Sequence, residues 1–167
     1  EDGIDIWHHV DAAYGGFFCA LDPDEPLLAP ARRRALRAIR RADTVTIDPH
    51  KLGYAPYACG ALLVREAEYD AVSSFTAPYV ERTELGEAAW TRTLEGSRPA
   101  TGAAATWLTG KTIGFGPEGL GAVLRSTLDS CRVIRAALTG AIPQVRPLDP
   151  TDTNIFCFSV AEDGEAL

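Results

Sequence analysis

Apolar residues recur at two different spacings along the chain, and glycine and proline mark the joins. Ile4 to Val10 is a short β-compatible run that ends at Asp11, and Ala12-Ala-Tyr-Gly-Gly16 follows as a turn with room for close backbone approach. Residues 21–30, with Asp22, Asp24 and Glu25 among three prolines, predict a surface loop. Ala31 to Arg41 has helical spacing, with Leu36 and Ile39 inward and six arginines mostly outward on a solvated face. Asp43 to Ile47 predicts a second strand closed by Pro49, which cannot continue a central ladder. Gly60 to Arg65 predicts a third strand, apolar enough to be buried on both faces. Residues 73–87 lack periodicity and predict a long loop, a frequent carrier of function. Arg98 to Ile113 and Glu118 to Leu138 predict helices parted by the Gly114-Phe-Gly-Pro117 breaker. Val145 to Leu148 and Asn154 to Val160 predict late strands around a Pro/Asp turn. Strands alternating with helices predict an α/β sheet with much parallel pairing. So few strands suggest the middle of a larger α/β protein.

Composition narrows the function classes. The 167 residues are 46% hydrophobic and 23% charged, with a formal net charge of −7. That is ordinary globular composition, and the acidic balance argues against a nucleic-acid or membrane-surface binder. No apolar run approaches the roughly 18 residues of a membrane span. No leader pattern opens the chain, and with no Met at all its first residue reads as part of something longer. Cys19, Cys59, Cys131 and Cys157 form no CxxC pair and read as buried thiols, which makes a reducing cytoplasm the expected compartment.

Lysine is scarce, with only Lys51 and Lys111 against 14 arginines. Lys51 lies just past a predicted strand end, where ligands of α/β sheets gather. Its amine can form a Schiff base if desolvation or nearby cations lower its pKa; otherwise it is a solvated surface lysine. Asp11 also ends a predicted strand, either as a turn-former or as a second chemical group. Together the two match the needs of pyridoxal phosphate chemistry, a lysine for the aldehyde and a carboxylate beside the pyridine nitrogen. Ala13 is small enough for a flat ring to lie against the strand end. Ser97, before Arg98 and Pro99, is a good helix N-cap, and free N–H groups at such a start suit a phosphate. Two decoys fall away. Gly110-Lys111-Thr112 resembles a phosphate-binding loop but has Ala105 where that pattern needs glycine. His8 and His9, adjacent on a strand, point to opposite faces, so no metal site with His50 is expected.

Three motifs in order, His9-Val-Asp-Ala-Ala-Tyr-Gly-Gly16, Ala42-Asp-Thr-Val-Thr-Ile-Asp-Pro-His-Lys51 and Thr93-Leu-Glu-Gly-Ser-Arg-Pro99, resemble the group II pyridoxal phosphate-dependent amino-acid decarboxylases. From Thr44 to Val64 the chain is most similar to the bacterial tyrosine decarboxylases. Thr153-Asn-Ile-Phe-Cys-Phe158 resembles the family's entry into its small C-terminal domain. The resemblance implies part of the large domain of a fold-type I, aspartate aminotransferase-like enzyme over residues 1–140, and the start of the small domain over 141–167.

By the same resemblance, Lys51 carries the cofactor, Asp11 pairs with its pyridine nitrogen and Ala13 packs on the ring. His50 lies beside the cofactor, and Asp48, where some relatives have Asn, links toward the phosphate. Tyr79, in Phe75-Thr-Ala-Pro-Tyr-Val80, matches the tyrosine of a mobile catalytic loop and is the candidate proton donor. Ser97 would reach the phosphate of the neighbouring subunit in a homodimer. The implied reaction releases CO2 and a primary amine from an amino acid, tyrosine first. Tyr54, Pro56 and Tyr57 suggest an aromatic-lined mouth or dimer packing. Rival readings are an acidic amino-acid decarboxylase, a carbon–carbon lyase of phosphorylated amino alcohols, and a catalytically incompetent fragment or interaction module. The missing flanks would supply the second ring-stacking residue, the main phosphate loop and most of the small domain.

Overall fold

The computed structural model describes residues 6–66, 68–69, 99–149 and 153–161. In chain order the elements are β1 (His9–Asp11), α1 (Pro30–Ala38), β2 (Thr44–Ile47), β3 (Ala61–Val64), α2 (Thr101–Thr112), α3 (Ala122–Ala141), β4 (Val145–Leu148) and β5 (Cys157–Val160). Among the described residues no helix is long and apolar enough to cross a membrane. The chain forms two compact units, one from residues up to Gly16 and from Ile39 to Thr112, the other from Phe17–Ala38 and from Ile113 onward.

The first unit is built on a three-stranded sheet in the order β1-β2-β3. Its central strand reads Thr-Val-Thr-Ile, a β-branched run whose stiff side chains favour the pleat. β1 lies parallel to β2, with His9 opposite Thr44 and Asp11 opposite Thr46. The His9 ring nitrogens meet the hydroxyls of Thr44 (2.8 Å) and Thr46 (3.3 Å), which locks the register. β3 runs antiparallel, with Thr44 opposite Val64 and Ile47 opposite Ala61.

The sheet corrects two expectations. Parallel pairing does not dominate the described residues: only β1 and β2 are parallel, while β2–β3 and β4–β5 are antiparallel. Residues 48–60 contain no crossover helix, so the chain turns back beside β2. Nor is β3 buried on both faces. Leu62 and Leu63, which point to opposite faces, are 59% and 54% exposed, so among the described residues neither face is covered there.

Among the described residues the second unit holds most of the buried apolar side chains. Leu120, Leu124, Leu128 and Cys131 recur at helical spacing along α3 and the turn before it, and all are buried. Phe17, Phe18, Leu21, Leu28 and Val145 are buried in the same unit, and the Phe17 and Phe115 rings lie 5.8 Å apart. β4 and β5 form a two-stranded ladder with Val145 opposite Val160 and Leu148 opposite Cys157. Pro147 is tolerated there because the ladder has only edge strands.

Three local readings also change. The expected helix to Arg41 ends at Ala38 and tightens into a 3-10 turn over Ile39–Arg41. Its arginines are not simply solvated. Arg33 donates to the Glu25 and Leu28 carbonyls, and Arg37 to the Pro23 carbonyl and Asp24 carboxylate, pinning the acidic loop. That loop buries Leu21, Glu25 and Leu28 instead of lying wholly on the surface. Of the four cysteines, all unpaired, only Cys131 is buried; Cys59 is half-buried, and Cys19 and Cys157 are exposed.

Candidate active site

The parallel pair β1–β2 decides where the chemistry gathers. Both strands end at the same edge of the sheet, β1 on Asp11 and β2 on Ile47, so the residues that follow share one rim. Three hydrogen bonds stitch that rim together. The Ala12 N–H donates to the Thr46 carbonyl (3.0 Å), the Asp48 N–H to the Ala13 carbonyl (3.2 Å), and the Ala13 N–H to Asp11 Oδ1 (3.1 Å). Asp11 is exposed and Ala13 half-buried.

Beyond β2 the backbone winds through successive tight turns. The Lys51 N–H donates to the Asp48 carbonyl, the Ala55 N–H to the Pro49 carbonyl (both 2.9 Å), and the Tyr54 N–H to the Lys51 carbonyl (3.2 Å). Tyr54 turns the chain in the left-handed region at φ 55°. A residue with a Cβ bears a cost of about 1–2 kcal/mol there, and such conformations cluster at functional sites. Pro49, Leu52, Gly53 and Ala55 are buried, so the turn is packed despite its lack of regular structure.

This winding sets Asp48, His50 and Lys51 together. Lys51 Nζ lies 2.7 Å from Asp48 Oδ2, and His50 Nε2 lies 3.7 Å from the same oxygen. The Lys51 side chain is 35% exposed and that of Asp48 15%, so the amine is reachable while its carboxylate partner is sheltered. The hydrogen bond to Asp48 holds the Lys51 ammonium above the ordinary lysine value. Desolvation opposes this, and the charges of Asp48, Asp11 and Tyr57 add to it. This reverses the expectation of a lysine depressed by neighbouring cations: its neighbours are carboxylates. That Asp11 acts on Lys51 electrostatically also ties the two strand ends into one field.

The donor set fits pyridoxal phosphate. It offers an accessible primary amine, a strand-end carboxylate on the adjacent parallel strand and a small residue, Ala13, whose carbonyl binds the Asp48 N–H. Gly60 keeps the space beside Asp48 open; a Cβ there would come 3.2 Å from Asp48 Oδ1. The structure brings together Asp11, Ala13, Asp48, His50 and Lys51. Tyr79 and Ser97 lie outside the described residues. α2 is described from Thr101, and the Ala104 N–H donates to the Ala100 carbonyl at its start (3.0 Å). Tyr54 and Tyr57 are 52% and 81% exposed, and the Tyr57 ring lies 4.4 Å from that of His50.

Sequence reasoning missed Cys59, Gly102 and Thr106. The Cys59 N–H donates to His50 Nδ1 (3.1 Å), and Cys59 Sγ meets Thr106 Oγ1 at 3.2 Å. No local pattern announces these pairings, which span 9 and 47 positions.

Lys51, just past β2, and Asp11, ending the adjacent parallel strand, offer the amine and the carboxylate that pyridoxal chemistry uses. Comparison with known proteins agrees. The model of the pyridoxal-dependent decarboxylase conserved domain matches residues 1–159, and the chain belongs to that family. It is 29% identical to an L-tyrosine decarboxylase of Enterococcus faecium, covering 93% of this chain and 31% of the relative. It is 33% identical to a probable L-aspartate decarboxylase of Pyrococcus abyssi, covering 79% of this chain and 32% of the relative. Among solved structures, Burkholderia pseudomallei sphingosine-1-phosphate lyase superposes with a TM-score of 0.68 at 27% identity, over 94% of this chain and 34% of that one. Mouse CSAD in its apo form superposes with a TM-score of 0.70 at 24% identity, over 93% and 30%, and so shares the fold. The chain thus spans about a third of the length of these relatives.

Proposed function

We propose that this chain is the cofactor-bearing part of a pyridoxal phosphate-dependent amino-acid decarboxylase whose substrate is an aromatic L-amino acid, tyrosine first. The observation that carries the reading is the Lys51–Asp48 pair on the rim that Asp11 shares. Residues 1–140 then belong to the large domain and 141–167 open the small one. Tyrosine is preferred because two tyrosine decarboxylase relatives align over 93% and 98% of this chain.

When bound, the cofactor accepts the electron pair of the Cα–carboxylate bond. Lys51 would hold it covalently through its side-chain amine. Asp11 keeps a proton on the pyridine nitrogen, which makes the ring a better electron acceptor. Asp48 holds the Lys51 ammonium by an ion pair, and in so doing stores the proton that Lys51 must shed before its amine can attack. Tyr79 delivers the proton that replaces the carboxylate at Cα. In a homodimer, Ser97 would reach the phosphate of the neighbouring subunit.

Incubation with pyridoxal phosphate, borohydride reduction and peptide mass spectrometry tests the reading. A pyridoxyl group on Lys51, lost in Lys51→Ala, is the expected result; labelling that is scattered or unchanged in the variant overturns it. A second reading, decarboxylation of an acidic amino acid, draws on the aspartate decarboxylase relatives. End products from the longer protein separate the choices: tyramine from tyrosine, β-alanine from aspartate, or an aldehyde and a phosphoamine if it is a lyase.

A further inference from the structure

We propose that His50 is a fixed hydrogen-bond donor of this site and not a base, and that the Ala58–Cys59 peptide, seated on Gly102 of α2, sets it so. The Cys59 main chain grips His50 at two points. The His50 main-chain N–H donates to the Cys59 carbonyl (3.2 Å), and the Cys59 main-chain N–H donates to His50 Nδ1 (3.1 Å). A peptide N–H can only donate, so Nδ1 must present its lone pair and carry no proton. The neutral ring then bears its hydrogen on Nε2, the atom 3.7 Å from Asp48 Oδ2. With the Nδ1 lone pair engaged and Nε2 already protonated, neither nitrogen is free to take a proton from a reacting group. Other groups near the ring agree with a donor at Nε2: Asp48 is an acceptor, and Tyr57 lies against the ring, with 30° between the planes.

The grip depends on a helix remote from the lysine. A Cβ on Gly102 would stand 2.8 Å from the Ala58 carbonyl oxygen and 3.0 Å from Cys59 Sγ, so only glycine lets α2 approach this peptide closely. Thr106, one turn on, meets Cys59 Sγ at 3.2 Å while its hydroxyl bonds back to the Gly102 carbonyl. Gly102 is thus a positioning residue for His50. The tautomer follows from the fold alone, while its use toward a bound cofactor rests on the function proposed above.

Nuclear magnetic resonance of the full chain with 15N-labelled histidine tests this at neutral pH without cofactor. The His50 signals are assigned by their loss in His50→Gln. Expected are a downfield, unprotonated Nδ1 and an upfield, protonated Nε2; a protonated Nδ1, or two averaged nitrogens, overturns the proposal. Gly102→Ala should displace the peptide and draw the two shifts toward each other, and an unchanged pattern would remove Gly102 from the role. Cys59→Ala keeps the N–H and should leave the tautomer intact; a change there would place control in the thiol and overturn the main-chain account. The borohydride result on Lys51 is independent of all three, so failure of the tautomer and failure of the cofactor reading are told apart.

Discussion

Two proline-bearing loops of this chain, one in each unit, put a buried or sheltered carboxylate to opposite uses. In residues 21–29, Glu25 is 2% exposed, accepts the Leu27 N–H at Oε1 (3.0 Å), and has Arg125 Nε 3.8 Å from Oε2. Arginines 33, 37 and 132 then bind main-chain carbonyls of the same loop. In residues 48–60, Asp48 instead faces Lys51 and His50. Arginine does not give up its proton in proteins, whereas lysine and histidine can. A carboxylate among arginines is therefore a latch, and a carboxylate between a lysine and a histidine is part of a reactive site. The difference lies in the partners and not in the acid.

That comparison can be broken or sharpened by substitution. The largest effect is expected in the latch's unit, where Leu124 is fully buried. Leu124→Ala should cost about 2–5 kcal/mol, read from the denaturant midpoint. A loss well below that range would mean the α3 core is not what supports the unit. Glu25→Ala should cost less, about 1–3 kcal/mol, because it strands the Leu27 N–H in a buried loop. Were this variant as stable as the parent, the latch reading would fail.

The smallest effect on stability, and the most telling about chemistry, is expected of Asp48→Asn. Asp48 raises the Lys51 value, so in the parent the neutral amine appears only at higher pH than for an ordinary lysine. Removing the carboxylate should move the onset of Lys51 reductive methylation, followed by mass spectrometry, to lower pH. An onset that stays put would show that Asp48 does not hold the ammonium.

Much of this arrangement is legible before any coordinates. The β-branched run at Thr44–Ile47, the proline that ends it and the helical spacing of Leu124, Leu128 and Cys131 are local signals, and each element stands close to where those signals put it. Asp11 and Lys51 are legible because strand ends concentrate chemistry and because their motifs resemble a known family. The illegible features depend on how turns and distant segments close in space. Whether β3 runs parallel or antiparallel depends on how residues 48–60 close, and the apolar content of Leu62 and Leu63 carries no information about what covers them. The raised Lys51 value depends on a turn that brings residue 48 back onto residue 51. The role of Cys59 depends on contacts with residues 50 and 106. Arginine pinning of the acidic loop escapes notice for the same reason, since charged residues on a helix face look alike whether water or a carbonyl receives them.

The closed main-chain pattern after β2 has a kinetic consequence. The amides of Asp48, His50, Lys51, Tyr54, Ala55 and Cys59 all donate to main-chain carbonyls or to His50 within the same unit. Such amides exchange with solvent only when the segment opens. In deuterium-exchange experiments the Lys51 turn should therefore exchange at the pace of β2 and not at the pace of a surface loop. Measured on that clock, the segment that bears the reactive amine belongs to the sheet.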